Sequence, residues 1–378
     1  MQDVFADFYR GKKIFVTGHT GFKGSWLSVW LRSLGAEVMG YALEAPTSPA
    51  NFEACTLSKH IHHVLGDIRD YDHLSSTITE FKPDMIFHLA AQALVRESVR
   101  NPRETFDVNL MGTVNVLDAA LHCDAVRGVV SITSDKCYRN VGWEWGYREI
   151  DALGGDEAYS ASKACAELAI GAYHGEDFQS VRKRSVFLPI ASVRAGNVIG
   201  GGDWAHERLI PDVVRSVSEG RPVILRSPGA TRPWQHVLEP LSGYLWLGAN
   251  LCNNPQRYVS GWNFGPVDSG VYPVQEVVEK MLAFWPAPQT EVVVEPNTQA
   301  KEAMLLALDC SKANSHLDWS GTWFIDETIN ATATWYKAFY EDDEDMYEFT
   351  RRQIESYTET AHERGQVWAR GKLLGSEA

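Results

Sequence analysis

Between residue 12 and about residue 190, short β-branched or apolar runs alternate with amphipathic stretches of helical length. The predicted strands lie at 14–16, 37–43, 85–89 and 129–133, and the predicted helical stretches at 25–34, 67–81 and 104–121. Strand, helix and strand in succession form right-handed βαβ units, whose strands join a parallel sheet covered by helices on both faces. The alternation therefore predicts a doubly wound α/β domain over residues 1–190.

The second half of the chain has a different pattern. After about residue 190 the alternation becomes irregular, with loop-rich segments at 200–203 and 226–229 and helical stretches near 273–284 and 326–340. At roughly 150 residues per domain, 378 residues are enough for two or three domains. We therefore predict a smaller mixed α/β lobe over 191–378, with a segment near 232–255 returning to the first domain.

Composition limits the partners of the chain. Its 35 Lys and Arg against 49 Asp and Glu give a net charge of −14, so the overall field attracts neither nucleic acid nor an anionic membrane surface. No segment resembles a signal peptide and no run of ~18 uncharged apolar residues occurs, which predicts a cytoplasmic protein. The six cysteines show no CxxC spacing, and we expect no metal site. Any anionic ligand must therefore be held locally.

The first predicted strand runs directly into a glycine-rich turn, Thr17-Gly18-His19-Thr20-Gly21-Phe22-Lys23-Gly24, and a helical stretch follows. Glycines allow a tight turn and close backbone approach, while the helix start offers unpaired N–H groups and partial positive charge to a pyrophosphate. The turn predicts a Rossmann-type dinucleotide site, with contacts from Thr17, Gly18, Gly21, Phe22, Lys23 and Gly24.

The end of the second predicted strand bears on which dinucleotide binds. Such sites place an acidic residue ~20 positions after the turn, where it binds the ribose hydroxyls of NAD. Here that strand ends without one, Glu44 lies one or two residues late, and no arginine follows that would favour the phosphate of NADP. We therefore predict NAD. Asp67 and Ile68 are candidates near the adenine ring; Asp67 opens the next helix and is equally suited to be its N-cap.

A candidate catalytic group lies further along the chain. Tyr159 and Lys163, at i and i+4, share one helix face, and a nearby ammonium lowers the pKa of a tyrosine from about 10 toward neutrality. Ser134, Asp135 and Lys136 follow a predicted strand, and ligands of open parallel sheets bind beyond the carboxyl ends of the strands. The sequence predicts that these five residues share one crevice, with Tyr159 as general base.

Together these motifs resemble the extended short-chain dehydrogenase/reductase superfamily. The resemblance covers roughly residues 12–270 and is carried by the glycine turn, Leu89-Ala90-Ala91-Gln92, Asn109-Leu110-Met111-Gly112-Thr113, the Tyr159/Lys163 pair and Arg194-Ala195-Gly196-Asn197. Within it the chain is similar to the nucleotide-sugar 4,6-dehydratases. Those enzymes typically have Thr-Asp-Glu where this chain has Ser134-Asp135-Lys136; that difference, with residues 19–26, resembles the members that act on CDP-D-glucose.

The resemblance implies an NAD-dependent dehydration of a nucleotide-diphosphate sugar, in deoxysugar and O-antigen lipopolysaccharide biosynthesis, by a homodimer or homotetramer. It assigns Leu89, Ala90, Ala91, Gln92 and Asn109 to the cofactor and Asn197 and Arg232 to the diphosphate. Arg194 and Arg208 are further candidates for the diphosphate, because guanidinium binds phosphate bidentately, although Arg194 equally suits a structural ion pair. Asp135 and Lys136 are acid and base for C6 and C5, in either order.

Three alternatives stay open. Another nucleotide-sugar 4,6-dehydratase, acting on dTDP-glucose or GDP-mannose, would share these motifs. A 4-epimerase would use Tyr159, Lys163 and the hydroxyl of Ser134 but needs no further acid/base pair, so Asp135 and Lys136 favour dehydration. A non-catalytic dinucleotide-binding protein would keep the glycine turn and lose the Tyr159/Lys163 pair.

Overall fold

The computed structural model describes residues 3–181, 186–268, 271–285, 290–295, 306–371, 373 and 374. In these ranges the strands are β1 Lys13–Thr17, β2 Glu37–Ala42, β3 His62–Leu65, β4 Met85–His88, β5 Gly128–Ile132, β6 Ile190–Ala195, β7 Val198–Ile199, β8 Val223–Leu225, β9 Thr231–Arg232, β10 Gln235–His236, β11 Gly261–Phe264, β12 Tyr272–Pro273 and β13 Val292–Val294.

The helices in the same ranges are α1 Phe22–Ser33, α2 Asn51–Ala54, α3 Tyr71–Phe81, α4 Val95–Arg100, α5 Pro102–Phe106, α6 Gly112–Leu121, α7 Ala158–Tyr173, α8 Glu176–Val181, α9 Leu209–Ser218, α10 Leu238–Asn253, α11 Pro255–Tyr258, α12 Val274–Phe284, α13 Ser311–Leu317, α14 Ile325–Glu341 and α15 Met346–Glu363. Short 3₁₀ turns lie at Val4–Asp7, Leu57–Lys59, Asp135–Cys137 and Val367–Ala369. None of the helices in the described ranges is both long enough and apolar enough to cross a membrane.

Seven parallel strands form the central sheet in the order β11-β6-β5-β4-β1-β2-β3. β1 and β5 are buried on both faces, as expected of strands covered by helices on each side. The chain builds β1, β2 and β3 in one direction and then returns to β4, β5 and β6 on the other side of β1. The strand order therefore reverses between β1 and β4, the point at which open α/β sheets bind their ligands.

This sheet confirms the predicted doubly wound fold, and three local differences have physical causes. Strand β3 has no counterpart in the prediction because His62–Leu65 is a short edge strand without a buried apolar face. The predicted helix at 67–81 begins only at Tyr71, where Asp70 accepts a hydrogen bond from the His73 N–H as N-cap. The predicted helix at 104–121 is interrupted by a π-helical turn at Asp107–Met111.

Segments from the second half of the chain contribute to the first lobe. Helix α10 is buried along almost its whole length and packs on β5 and β6, and β11 forms the edge of the central sheet. The remaining strands form three two-stranded pairs, β7 with β10, β8 with β13 and β9 with β12. The division of the chain into two lobes at residue 190 stays a prediction. In the structure, α10 from the segment 232–255 packs on the central sheet, and residues 261–264 form one of its strands.

The segments around Phe5 and Trp368 meet beside helix α1. Helix α15 packs on α1, the rings of Phe5 and Trp368 stack with centroids 5.1 Å apart, and Trp30 of α1 meets Trp368 edge-on at 6.1 Å. All three rings are fully buried in one cluster that continues into the second lobe. The C-terminal segment therefore completes the core around the helix that follows the glycine turn.

Candidate functional site

The glycine turn lies at the point where the strand order reverses. Gly18 has φ +77°, and a Cβ added to it would lie 2.7 Å from the backbone nitrogen of Ala90. A Cβ on Gly24 would lie 2.1 Å from the Gly18 carbonyl oxygen. Both positions therefore require glycine. Helix α1 begins directly after Gly21, and no side chain of the described residues caps its first turn. The exposed N–H groups of that turn suit a pyrophosphate, so this cradle fits a dinucleotide.

Thr17 joins the glycine turn to the segment after β4. Its hydroxyl accepts hydrogen bonds from the backbone N–H groups of Leu89 and Ala90, at 3.1 and 3.2 Å. The same hydroxyl lies 2.8 Å from Nδ1 of His88, whose Nε2 lies 3.0 Å from the hydroxyl of Thr113. Thr17, Leu89 and Ala90 therefore fix the ends of β1 and β4 against each other at the edge of the crevice.

Asn109 joins the crevice to the helix that carries Tyr159 and Lys163. Its amide oxygen accepts from the Gln92 N–H at 2.9 Å, and its amide nitrogen donates to the Gln92 carbonyl and to the Ser162 hydroxyl, at 3.0 and 2.9 Å. Asn109 is 1% exposed. The predicted cofactor residues Gln92 and Asn109 are thus brought together, with Ala91 between Ala90 and Gln92 along the same segment.

The predicted adenine end of the site differs in one respect. Asp67 forms a salt bridge with Arg69 at 2.6 Å and is not the cap of the next helix, since that role falls to Asp70. Ile68 is buried against Gly112, where an added Cβ would lie 2.4 Å from the Ile68 side chain. Glu44 is exposed beyond the end of β2. The N-cap alternative for Asp67 is therefore wrong by three residues.

Ser134, Asp135 and Tyr159 meet at the carboxyl end of β5. The Ser134 hydroxyl donates to Asp135 Oδ1 at 2.9 Å, and the same side chain acts to lower the pKa of the Tyr159 phenol. All three side chains are buried, and Lys136 follows in the 3₁₀ turn, partly exposed. Burial raises the pKa of Asp135, against the opposing effects of Ser134, Lys136 and Lys23. The predicted catalytic residues therefore form one cluster, with a carboxyl group biased toward its protonated form.

The pKa of Tyr159 corrects the sequence prediction. We expected Lys163 to lower it toward neutrality; instead burial raises the pKa of Tyr159 to about 12, although the Ser134 hydrogen bond acts to lower it. The Lys163 ammonium donates to the Ile132 carbonyl at 3.4 Å, and burial lowers its own pKa to about 8. A phenol in this setting is a proton donor unless a further positive charge enters the crevice.

Arg194, predicted as a candidate for the diphosphate, points into the protein instead. Its Nε and Nη2 donate to the carboxylate of Glu167 at 2.8 and 2.7 Å, and the two side chains are 5% and 3% exposed. Its guanidinium also lies over the ring of Tyr138, 4.8 Å from the centroid. Because its donors are engaged inside the core, the geometry corrects the substrate assignment in favour of the ion-pair alternative.

The other predicted substrate residues lie at the edge of the second lobe. Arg208 forms a salt bridge with Asp203 at 2.9 Å, and its charge acts on the phenol of Tyr159, so it faces the catalytic cluster. Arg232 in β9 donates from Nη1 to the carbonyl of Thr231 at 2.7 Å. Asn197 follows β6 and accepts a backbone hydrogen bond from Gln235.

Positive charge collects around the crevice of this acidic chain. Lys23 reaches it from the first turn of α1, and burial together with the charges of Arg208 and Lys163 lowers the pKa of Lys23 to about 8. The charges of Asp135 and Asp203 act on it in the opposite direction. A local group of cations therefore surrounds the buried carboxyl group of Asp135, as an anionic ligand requires.

Sequence reasoning missed two residues that hold this arrangement, Glu167 and Asp203. Glu167 lies eight residues after Tyr159 and four after Lys163, so helical spacing already placed it on the face of the catalytic pair. Asp203 precedes Arg208 by five residues within a glycine-rich loop, where no periodic pattern indicates a partner.

Comparison with known proteins gives a consistent result. The family model described as GDP-mannose 4,6 dehydratase matches residues 15–332. The chain is 47% identical over 351 residues to CDP-glucose 4,6-dehydratase of Salmonella typhimurium, covering 93% of this chain and 97% of that protein. It is also similar to two solved structures. One is an epimerase from Methanothermobacter thermautotrophicus, with TM-score 0.74, 23% identity and coverage of 92% and 96%. The other is dTDP-glucose 4,6-dehydratase from Bacillus anthracis in complex with NAD, with TM-score 0.69, 22% identity and coverage of 90% and 100%.

Proposed function

The chain belongs to the family described as GDP-mannose 4,6 dehydratase. From that membership, together with the similarity to CDP-glucose 4,6-dehydratase, we propose that it converts CDP-D-glucose to CDP-4-keto-6-deoxy-D-glucose with NAD as cofactor. The observation that carries the proposal is the Asp135-Lys136 pair beside Ser134 and Tyr159 at the end of β5. A 4,6-dehydratase needs an acid and a base beyond the tyrosine, whereas a 4-epimerase does not. The 47% identity to an enzyme named for CDP-glucose supports the choice of nucleotide.

The glycine turn, the segment from Leu89 to Gln92 and Asn109 would hold NAD, since they form the cradle at the reversal of strand order. NAD supplies a reversible hydride acceptor, with a positively charged nicotinamide that acts to lower the pKa of nearby groups. When bound, this positive charge would oppose the burial that raises the pKa of Tyr159 to about 12 in the structure.

The side chains then act in sequence on the hexose. Tyr159, whose pKa Ser134 acts to lower, takes the proton of the C4 hydroxyl while C4 is oxidised to a ketone. The ketone acidifies C5–H, a base removes that proton, and the C6 hydroxyl leaves as water after protonation. Hydride addition at C6 and a proton at C5 complete the 6-deoxy sugar, so one water is lost and no net oxidation occurs.

We assign the acid role to Asp135 and the base role to Lys136. Burial raises the pKa of Asp135, the direction that favours a carboxyl group as donor to the departing C6 hydroxyl. Lys136, the next residue, is partly exposed and follows Asp135 within the same 3₁₀ turn.

Incubation of the protein with NAD and CDP-, dTDP-, GDP- or UDP-glucose tests the substrate. We expect a 4-keto product, detected by its ultraviolet absorbance in alkali, with CDP-glucose and no net formation of NADH. Turnover of another nucleotide sugar but not of CDP-glucose would refute the choice of nucleotide, and a C4 epimer without keto product would refute dehydration.

The roles of the pair are tested in deuterium oxide. The Lys136→Met variant is expected to lose deuterium incorporation at C5, whereas Asp135→Asn keeps exchange at C5 and loses release of water from C6. Full-rate C5 exchange in Lys136→Met would show that lysine is not the base. The cytoplasmic location remains a proposal that rests on the sequence pattern, and a homodimeric or homotetrameric assembly remains one that rests on the resemblance.

A further inference from the structure

A cavity of about 180 Å³, lined by residues from the second half of the chain, lies next to the catalytic cluster. Gly196 lies in its wall, and a Cβ added to Gly196 would be 3.3 Å from Asp135 Oδ2. Gly196 therefore separates the cavity from Asp135, the proposed acid. Its other walls include Pro233, Gln235, Pro266, Asp268 and Leu308.

Gln235 carries an amide oxygen to which no described residue donates a hydrogen bond. The side chain is 1% exposed, and its Nε2 donates to the carbonyl oxygen of Phe264 at 3.3 Å. Among the described residues, Oε1 has no partner. The Phe264 carbonyl fixes the orientation, because exchanging the amide atoms would set two acceptors against each other. An unsatisfied buried acceptor destabilises a protein by about 1–3 kcal/mol, so such groups are rare in native folds.

None of the described residues donates to Gln235 Oε1, and several walls of the cavity have no suitable group to do so. Pro233 and Pro266 have no backbone N–H, and Leu308 presents an apolar side chain. The carboxylate of Asp268 already accepts a hydrogen bond from the Tyr272 hydroxyl and adds a second acceptor to the wall. A cavity with acceptors on its walls suits a ligand that brings N–H or O–H donors.

We infer that Gln235 Oε1 accepts a hydrogen bond from a donor group of the nucleotide sugar, and that this contact selects the substrate. The inference rests on the proposed function and adds a residue to it. The donor is either a hydroxyl of the hexose, which must lie near Asp135, or the exocyclic amine of cytosine, which uracil and thymine replace with an acceptor.

A second glutamine provides a matched control. Gln353 in α15 also donates from Nε2 to a carbonyl, that of Ala331 at 2.8 Å, and its Oε1 is also buried without a partner among the described residues. It does not line the cavity beside Asp135. Because Gln353 lies away from the cavity, we expect its amide oxygen to contact no ligand. The Gln353→Leu variant therefore measures the effect of removing a buried, unpaired amide oxygen without removing a ligand contact.

The experiment compares wild type, Gln235→Leu and Gln353→Leu by calorimetric binding of CDP, CDP-glucose and UDP-glucose, together with KM, kcat and the urea midpoint. In Gln235→Leu we expect KM and Kd for CDP-glucose to rise by about tenfold or more, because the donor of the substrate is buried unpaired. The urea midpoint should not fall by more than that of Gln353→Leu, which should bind all three ligands as the wild type does.

The ligands separate the two donors. Weaker binding of CDP-glucose with unchanged binding of CDP assigns the contact to a hexose hydroxyl; weaker binding of both, with UDP-glucose unaffected, assigns it to the cytosine amine. Unchanged Kd and KM in Gln235→Leu would overturn the inference. If the wild type turns over a different nucleotide sugar, the proposed nucleotide fails while the same variants test Gln235 on that sugar; binding of none of the CDP-, UDP-, dTDP- and GDP-glucose panel overturns both.

Discussion

The Arg194→Met variant removes the cation from a carboxylate that has no access to solvent. Glu167 accepts hydrogen bonds from the hydroxyls of Thr133 and Ser192 and from two nitrogens of Arg194. Burial acts to raise the pKa of Glu167, yet the Arg194 hydrogen bonds hold it below its usual value. Without the guanidinium, the folded protein must either bury an unpaired charge or protonate Glu167.

The magnitude follows from that burial. With side chains 5% and 3% exposed, loss of one partner of the pair is expected to lower the free energy of unfolding by about 3–5 kcal/mol. This corresponds to roughly a 100- to 5,000-fold change in the unfolding equilibrium. With a urea dependence near 3 kcal/mol per molar, the midpoint falls by about 1 to 2 M.

Urea denaturation followed by tryptophan fluorescence measures this shift. Arg221→Met provides the control, because Arg221 pairs with Glu219 at the surface with side chains 57% and 53% exposed, and such pairs contribute about 0–1 kcal/mol. The double variant Arg194→Met/Glu167→Leu should recover part of the loss, since no charge is then left unpaired.

The same variant separates structure from substrate binding. If Arg194 acts only in the ion pair, KM of the folded variant for the nucleotide sugar should stay within about threefold of the wild type, less than the tenfold that 1.4 kcal/mol of lost contact would give. An unchanged urea midpoint with KM raised tenfold or more would refute the structural role and restore the sequence prediction.

Three further predictions concern other parts of the molecule. Gly24→Ala places a methyl group 2.1 Å from a backbone carbonyl of the turn, so the Kd for NAD should rise at least tenfold in a fluorescence titration, whereas Gly171→Ala, with open space around it, should bind NAD as the wild type does. Burial raises the pKa of Glu239 from 4.5 to about 7, so its stabilising contribution is complete below pH 4.5 and falls by about 3 kcal/mol as the pH rises through 7. Glu239→Gln should flatten that slope in urea midpoints measured from pH 4.5 to 8. Lys23→Met removes a charge that lowers the pKa of Asp135, so the basic limb of the kcat profile should move to higher pH; a shift to lower pH would contradict Asp135 as the acid.

Sequence patterns predicted the parts of the site that depend on local spacing. The glycine turn, the Tyr159/Lys163 helix and the polar end of β5 meet as expected, because parallel strands bring their carboxyl ends to one edge. The N-cap at Asp70 was not predicted, and Asp67 was offered as an alternative for that role, because both aspartates precede the helix and only the backbone geometry distinguishes them.

The remaining features depend on contacts between distant residues. The direction of the shift in the Tyr159 pKa was predicted wrongly. Sequence spacing shows that Lys163 shares a helix face with Tyr159, but it shows neither the burial of the phenol nor the Ile132 carbonyl to which the Lys163 ammonium donates. The partner of Arg194 lies 27 residues earlier in the chain and is found only when α7 packs beside β6. Spacing also leaves Gln235 unremarkable, since the carbonyl that orients it comes from β11.

The meeting of the segments around Phe5 and Trp368 beside α1 has a consequence for synthesis of the protein. Ser33 ends α1, yet Trp368, which covers Trp30 of that helix, comes 335 residues later. At about 5–20 residues per second, a ribosome needs roughly 17 to 67 s to make that length. Throughout this interval Trp30 of the nascent first lobe lacks the ring of Trp368 that packs against it in the folded protein. We expect a product truncated before Trp368 to be less stable than the full chain, because Phe5 and Trp30 then lose the buried ring that packs on both of them.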